Sequence, residues 1–153
     1  MAFIGWRLPA DISRFFSGLP VPGTTERIDR LHTTALFLGD GLSAQECQNA
    51  ADVMEMVNSD IRPFAVVSQN LATFSKARKG IPLVALVESD GLRVAKNLLQ
   101  GACDQLGVSY FKRAEYTPHI TLSYLTTLRE LSPGFMDFPL QTWEARELTF
   151  WKA

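Results

Sequence analysis

Apolar residues follow two patterns along the chain: short runs typical of β-strands, and longer stretches with helical spacing. The short runs are rich in β-branched and aromatic residues and are bounded by glycine, proline or charged residues, which predicts strands. We expect these strands at residues 2–8, 31–38, 62–69, 71–76, 81–89 and 118–125, with one or two more in 138–152. Residues 19–30 contain two prolines and paired threonines, so they are expected to form a loop.

Three stretches between these runs predict helices. The first covers residues 10–18. The second follows Ser43, which begins an S-x-x-E capping box, and is expected to run to about Asn58. Asp90 is expected to cap the third helix, and Gly107 to end it. Strands and helices alternate without a linker or low-complexity tract, so residues 1–153 are interpreted as one α/β domain.

Two of the predicted strands repeat one short pattern. The octets are "LHTTALFL" (31–38) and "PHITLSYL" (118–125), and they contain the two histidines of the chain. Aligned with each other, they share the histidine, a threonine two residues later, an aromatic residue and a final leucine. These matched pairs are His32/His119, Thr34/Thr121, Phe37/Tyr124 and Leu38/Leu125. A repeat of this kind predicts two similar lobes that face each other.

The alternation of side chains along a strand predicts which residues line the cleft between the lobes. His32 and Thr34 share one face, and Thr33, Ala35 and Phe37 are expected on the other. In the second octet we expect His119, Thr121 and Ser123 on the cleft face, with Ile120, Leu122 and Tyr124 opposite. The opposite faces are largely apolar and are expected to pack against the helices.

Composition excludes several classes of protein. The formal net charge is −1 and the pI is about 6.1, which argues against an extended basic surface for duplex DNA or RNA. Cys47 and Cys103 lie at apolar positions of predicted helices and are interpreted as reduced core residues. The sequence has neither a membrane-spanning apolar run nor a signal-peptide pattern, so a cytoplasmic protein without membrane contact is expected.

Two histidines facing one cleft form an acid–base pair. Histidine takes up or releases a proton near neutral pH, so one ring can activate a nucleophile while the other protonates a leaving group. Each threonine adds a neutral hydroxyl that can hold a non-bridging phosphate oxygen. The pattern therefore predicts phosphodiester cleavage without a metal or cofactor.

Other interpretations of these residues remain open. Each histidine alone could be a structural residue, since a short motif often occurs by chance. A zinc site needs about three protein ligands. The carboxylates that could complete one, none at an informative spacing, are Asp40, Asp60, Asp90 and Glu115. Ser123 could be a nucleophile but lacks a G-x-S-x-G elbow.

The paired H-x-T motifs resemble those of the 2H phosphoesterase superfamily, which includes bacterial 2′,3′-cyclic RNA phosphodiesterases once described as 2′-5′ RNA ligases. The resemblance rests on "HTTALFLG" and "PHITLSYL" and extends over nearly the whole chain. It implies a bilobal α/β fold, with two pseudo-symmetric lobes of mostly antiparallel sheet and flanking helices around a groove. It also implies that His32, Thr34, His119 and Thr121 are catalytic and that no metal is used.

The chain departs from the family in two places. Thr33 stands where many members have an apolar residue, and the segment between the first strand and His32 is short. Its compactness and the stretch "AEYTPHITLSYL" are similar to small phage-type members, some of which degrade cyclic oligonucleotide signals of bacterial defence systems.

Substrate contacts are predicted near the cleft strands. Aromatic side chains can stack on a base, although each could equally pack in the core. The stacking candidates are Trp6, Tyr116 and Trp151, the candidates for contact with phosphate are Arg7, Lys76, Arg78, Lys79 and Arg113, and Ser123 is a further substrate-binding candidate. Lys76, Arg78 and Lys79 could instead be solvated residues of a hairpin turn.

The sequence therefore predicts a monomeric, metal-independent phosphodiesterase without a cofactor. Its expected substrate is a 2′,3′-cyclic phosphate or a 2′-5′ or 3′-5′ linkage in a small nucleotide, a cyclic oligonucleotide or an RNA end. The alternative is a catalytically idle nucleotide-binding module that uses the same cleft. The pattern does not indicate which histidine is the base.

Overall fold

A computed structural model describes residues 1–112, 115–131 and 138–152. The strands are β1 (Ala2–Arg7), β2 (Thr24–Thr25), β3 (His32–Gly39), β4 (Phe64–Thr73), β5 (Ile81–Glu88), β6 (His119–Leu125), β7 (Thr142–Ala145) and β8 (Leu148–Lys152). The helices are α1 (Ala10–Ser17), α2 (Ala44–Asp60) and α3 (Asp90–Leu106). Two short 3₁₀ turns lie at Ile28–Arg30 and Leu128–Glu130. The three expected helices are confirmed to within two residues at each end.

The helix caps follow the sequence with one correction. Ser43 and Glu46 form the expected capping box at the start of α2. Asp90 is not the cap of α3, because Ser89 accepts a hydrogen bond from the Leu92 amide and occupies that position. Ser89 has an extended backbone that continues from β5, whereas Asp90 already lies in the helix. Gly107 ends α3 in the left-handed conformation, at φ 72°.

Two strand predictions change. The runs at 62–69 and 71–76 form the single strand β4. The expected loop at 19–30 contains the two-residue strand β2. The C-terminal stretch forms two strands, β7 and β8, within the range expected.

The strands form two antiparallel sheets, as expected for two lobes. The smaller sheet has the order β3-β1-β8, and the larger has the order β2-β6-β5-β4-β7. All strand pairs of the described residues are antiparallel. The first octet forms β3, at one edge of the smaller sheet, and the second octet forms β6, inside the larger sheet. Each histidine is the first residue of its strand.

A common hydrophobic core holds the sheets and helices together. Helix α2 packs on α3 and β8, and α3 also packs on β3 and β4. The core includes fully buried Trp6, Leu99 and Ile120, which come from the smaller sheet, α3 and the larger sheet. In the part of the chain that the structure describes, no helix has the length and apolar character needed to cross a membrane.

Candidate active site

The register between β1 and β3 shifts directly after the first His-x-Thr. Ile4 pairs with Leu36, but the next residue of β1, Gly5, pairs with Thr34. Ala35 is therefore an extra residue on β3, which is the arrangement of a β-bulge. Because side chains alternate along a strand, one extra residue reverses the face of everything that follows it.

The same shift occurs at the equivalent place in the second motif. Leu83 of β5 pairs with Ser123, and Val84 pairs with Thr121. Leu122 is therefore the extra residue on β6, and it aligns with Ala35 in the repeated octets. Both histidine strands thus carry a bulge one residue after their motif threonine.

The paired bulges correct the predicted faces. Phe37 and Tyr124 were expected opposite the histidines, but each is only half-buried and returns to the cleft face after the bulge. Phe37 lines the cleft cavity directly. Ser123 was expected in the cleft, yet it turns into the interior and is fully buried. The regular alternation of side chains along a strand could not predict this, because a bulge interrupts that alternation.

The two histidines are held by the same type of hydrogen bond. Nδ1 of His32 lies 2.6 Å from the carbonyl oxygen of Arg30, and Nδ1 of His119 lies 2.8 Å from that of Thr117. In both cases the carbonyl belongs to the residue two positions earlier. A carbonyl oxygen only accepts, so Nδ1 carries the proton in each ring. Nε2 is then the nitrogen of each ring that can exchange a proton with a ligand, and in His32 it lies 3.1 Å from Oγ1 of Thr34.

The His32 ring lies in an aromatic environment. It stacks on Phe3 at a centroid distance of 4.5 Å and lies 5.0 Å from the Trp151 ring. Burial lowers the pKa of His32 below its ordinary value of 6.5, and the positive charges of His119 and Arg30 act in the same direction. The hydrogen bond to the Arg30 carbonyl opposes this shift. The neutral form of His32 is therefore favoured near pH 7. The His119 ring meets the edge of Phe74 at 4.6 Å.

Gly5 makes room for the first motif. Its neighbour across the ladder is Thr34, and Arg7 of the same strand is opposite His32. A Cβ atom on Gly5 would lie 2.4 Å from the carbonyl oxygen of Thr33 and 3.2 Å from the Cα of Thr34. Only glycine lets β1 approach the bulged segment this closely.

A cavity of about 540 Å³ extends from His119 toward the end of β3. Its walls contain four Phe or Tyr side chains, one positive side chain and one negative one, besides small polar and aliphatic residues. They include Phe37, Phe74, Phe111, Tyr116, Lys96 and Glu115. A pocket with this lining suits a flat, partly polar group. Of these residues, the sequence singled out only Tyr116 as a substrate contact. The repeated aromatic position in the two octets was the signal that could have identified Phe37.

Tyr116 connects the two lobes. Its hydroxyl donates to the Thr34 carbonyl oxygen over 3.0 Å. Burial raises the pKa of the Tyr116 phenol, so the hydroxyl keeps its proton and remains a donor. Nζ of Lys96 lies 4.8 Å from the centre of the Tyr116 ring. Tyr116 thus lines the cavity, and it also ties the first motif to the segment before the second.

The two predicted tryptophan platforms are not open to a ligand. Trp6 is 1% exposed and packs edge-on against Phe64 in the core, which corrects its assignment as a stacking residue. Trp151 is 5% exposed, and Phe3 stacks on it at 5.5 Å. The Arg7 guanidinium lies 4.3 Å from the centre of the Trp151 ring. Trp151 therefore supports His32 and Arg7 rather than presenting a free face.

The predicted basic contacts lie in different parts of the structure. Arg7 is exposed beside His32 and also donates to the Asp29 carbonyl oxygen. Lys76 and Arg78 are exposed in the turn between β4 and β5, where the neighbouring Ala77 lines the cavity. Neither side chain is among those that line the cavity. Arg113 lies outside the described residues.

The described part of the chain gives no support to the two alternatives, a metal site and catalysis by a cysteine. Residues 1–112, 115–131 and 138–152 contain no cluster of three or more His, Cys, Asp or Glu side chains arranged for a metal ion. Burial raises the pKa of the Cys103 thiol to about 11, so it stays protonated. Cys47 is a free, half-buried cysteine on α2.

No protein-family model matches the sequence, and no curated protein is significantly similar to it. Solved structures do match. TT0787 of Thermus thermophilus has a TM-score of 0.75 at 18% identity, with 97% of this chain and 86% of that chain covered. A crystallised phosphoesterase has a TM-score of 0.62 at 21% identity, covering 97% and 85%. E. coli LigT has a TM-score of 0.62 at 21% identity, covering 97% and 84%.

This chain has the 2H phosphoesterase fold. The resemblance inferred from the two octets is thereby confirmed for the fold. In this 2H phosphoesterase fold, β3 contacts β6, and Thr34 and His119 line the same cavity. His32 is close enough to His119 for the charge of one ring to act on the other. The two histidines and the two motif threonines are all partly exposed.

Proposed function

We propose that the protein is a metal-independent phosphodiesterase. It cleaves a 2′,3′-cyclic phosphate or a 2′-5′ or 3′-5′ linkage in a small nucleotide, a cyclic oligonucleotide or an RNA end. The observation that carries this proposal is the matched pair of histidine–carbonyl hydrogen bonds, 2.6 and 2.8 Å long. They fix both rings in the tautomer whose Nε2 can accept or donate the proton.

The environments of the two rings support different roles. Neutral His32, with its lowered pKa, has a lone pair on Nε2 and suits the general base. It takes the proton of a water molecule, or of a ribose hydroxyl, as that oxygen attacks phosphorus. His119 then acts as the acid, and its Nε2 proton goes to the departing oxygen as the P–O bond breaks. In total, one P–O bond forms and one P–O bond breaks, while His32 gains one proton and His119 loses one.

The threonines support the phosphate. Thr34 and Thr121 stand two residues after their histidines and remain partly exposed on the cleft face. Each hydroxyl can donate to a non-bridging oxygen as negative charge grows in the transition state. The structurally similar E. coli LigT has been crystallised with NADP+, 3′-AMP, ATP and phosphate. Nucleotide ligands in that protein agree with an aromatic cavity beside the motifs in this one.

The test is a turnover assay on nucleoside 2′,3′-cyclic phosphates, dinucleotides with 2′-5′ or 3′-5′ linkages, cyclic di- and trinucleotides, and RNA with a cyclic end. We expect His32→Ala and His119→Ala each to lower kcat by about 10²–10⁴-fold, the usual scale for one general acid or base. The double variant is expected to be little worse than either single one, because the two groups act together.

Matched threonine variants complete the test. Thr34→Val and Thr121→Val remove one donor each, which can lower kcat by up to about 10²–10³-fold. Thr142→Val, at an exposed strand position outside the cleft, is the control. Binding of these ligands without turnover would support the idle module instead and would refute the enzyme assignment.

A further inference from the structure

The paired bulges give the cleft two ends that are built alike. Phe37 follows the first motif but lines the same cavity as His119 of the second motif. We call this region the Phe37 end. Tyr124 follows the second motif and lies near the residues that surround His32 of the first. We call this region the Tyr124 end. Each end combines the aromatic residue of one motif with the histidine of the other.

Several contacts place the Tyr124 end beside His32. The charges of Glu26 and Arg30 act on both the Tyr124 phenol and the His32 ring. The segment that carries them is anchored to β6, because Thr24 pairs with Tyr124 and the Glu26 amide donates to the Leu122 carbonyl oxygen. The half-buried Tyr124 ring and the His32 ring therefore both lie near the segment that carries Glu26 and Arg30.

The Tyr124 end holds three cations, Arg7, Arg30 and Lys79, and one nearby carboxylate, Glu26, whereas the cavity of the Phe37 end is lined by one lysine and one glutamate. Lys79 reaches over the Tyr124 ring, with Nζ 5.7 Å from its centre. The Arg30 guanidinium lies 5.6 Å from the Trp151 ring, next to that of Arg7. Among the described residues, no carboxylate forms an ion pair with Arg7, Arg30 or Lys79. These cations can therefore bind an anion.

A glycine fixes the position of Lys79. Gly80 lies against the end of β6, where a Cβ atom would be 2.6 Å from the Leu125 carbonyl oxygen. Its φ of 126° also disfavours other residues. The turn is closed by the Ala77 amide, which donates to the Gly80 carbonyl oxygen over 2.8 Å. Lys79 is thus delivered to the Tyr124 end by a defined turn.

We propose that the Tyr124 end is a second nucleotide subsite, so that the enzyme cleaves a linkage between two nucleosides. One nucleoside fills the aromatic cavity at the Phe37 end, and the scissile phosphate lies between the histidines. The second base stacks on Tyr124, and its next phosphate is held by Arg30 and Lys79. A nucleoside 2′,3′-cyclic phosphate would use only one end. This inference rests on the proposed function and narrows its substrate to dinucleotides and longer chains, linear or cyclic.

The test compares two substrates in the same enzyme. One is a dinucleotide with a terminal phosphate on the second nucleoside, and the other is a nucleoside 2′,3′-cyclic phosphate. We expect wild type to favour the dinucleotide in kcat/KM. Tyr124→Leu should reduce this preference roughly tenfold or more, the scale of one lost base–aromatic stack. Phe37→Leu, at the other end, should weaken both substrates together.

A second pair of variants tests the phosphate contact without touching the buried side of the cleft. Lys79→Gln changes an exposed turn residue and should lower the preference for a dinucleotide with a terminal phosphate over one without it. Arg27→Gln is the matched control, because its charge is already paired with Asp29 at 2.8 Å. It should leave that preference unchanged.

The outcomes separate the two proposals. If wild type cleaves the cyclic mononucleotide at least as well as the dinucleotide, and Tyr124→Leu and Lys79→Gln leave the ratios unchanged, the second subsite is refuted while the phosphodiesterase stands. If neither substrate is cleaved, the proposed function fails. In that case the dissociation constants of both ligands are measured by calorimetry. Equal affinities of wild type and Tyr124→Leu for the dinucleotide would refute the subsite as well.

Discussion

Replacing Gly5 by alanine tests whether the close approach of β1 to the first motif sets the geometry of the site. The added Cβ atom would lie 2.4 Å from the Thr33 carbonyl oxygen, well inside van der Waals contact. That oxygen belongs to the backbone between His32 and Thr34, so it cannot move away as a side chain could. The strand must shift, and the motif must shift with it.

The size of the effect follows from this clash. Overpacking a close-packed region costs about 1–3 kcal/mol. For a domain of about 150 residues, each kcal/mol lowers Tm by roughly 2–4 °C, which gives a decrease of roughly 2–12 °C. Catalysis is more sensitive, because a misplacement of about 1 Å can cost roughly 10²-fold in rate. We therefore expect Gly5→Ala to lower kcat by about 10–10²-fold in protein that is still folded.

The assay pairs thermal unfolding with steady-state kinetics at a temperature where every variant is folded. Gly101→Ala is the control, because nothing lies within 4 Å of its added Cβ atom and the position is inside α3. Alanine there should stabilise the helix by about 0.5–1 kcal/mol and leave kcat unchanged. A Gly5→Ala protein with the Tm and kcat of wild type would show that the bulged segment tolerates a shift of β1. It would refute the claim that the close approach of β1 sets the geometry of the site.

Two further predictions concern protons and metals. The acid limb of kcat/KM is expected below pH 6.5, because burial lowers the pKa of His32 and the base is lost only when that ring is protonated. For the same reason the free energy of unfolding should decrease as the pH falls from 6.5 toward that lowered pKa, since the unfolded chain binds the proton more readily. An acid limb above 6.5 in a pH–rate profile would contradict the assignment of His32 as the base. Excess EDTA is expected to leave turnover unchanged, and activity lost to EDTA and restored by zinc or manganese would argue against two-histidine catalysis.

Local sequence signals determined the helices and most strands. The capping box at Ser43 and the left-handed Gly107 act through bonds and torsions within a few residues, so they are readable without the fold. Ser89 shows the limit of such signals. It takes the cap from Asp90 because β5 runs up to it in an extended conformation, and its hydroxyl also bonds the Ala65 carbonyl oxygen of β4.

The candidate catalytic residues were also readable from the sequence. The chain repeats one octet and places its two histidines at the same position in each copy. That repetition identified His32, Thr34, His119 and Thr121 as candidates, because two proton-transfer groups, each with a threonine hydroxyl beside it, suit the cleavage of one phosphodiester. It could not separate their roles. The burial of His32 against Phe3 and Trp151, which lowers its pKa, comes from three strands that meet only in the folded sheet.

The surroundings of the motifs were decided by the tertiary structure alone. A β-bulge depends on how a strand pairs with its neighbour, and the extra residues Ala35 and Leu122 have no local signature. Because each bulge reverses the alternation, Ser123 is buried while Phe37 and Tyr124 face the cleft. The sequence by itself thus determined which residues could do the chemistry. The pairing of β1 with β3 and of β5 with β6 decided which side chains stand around it, since strand register is a property of two chain segments and not of one.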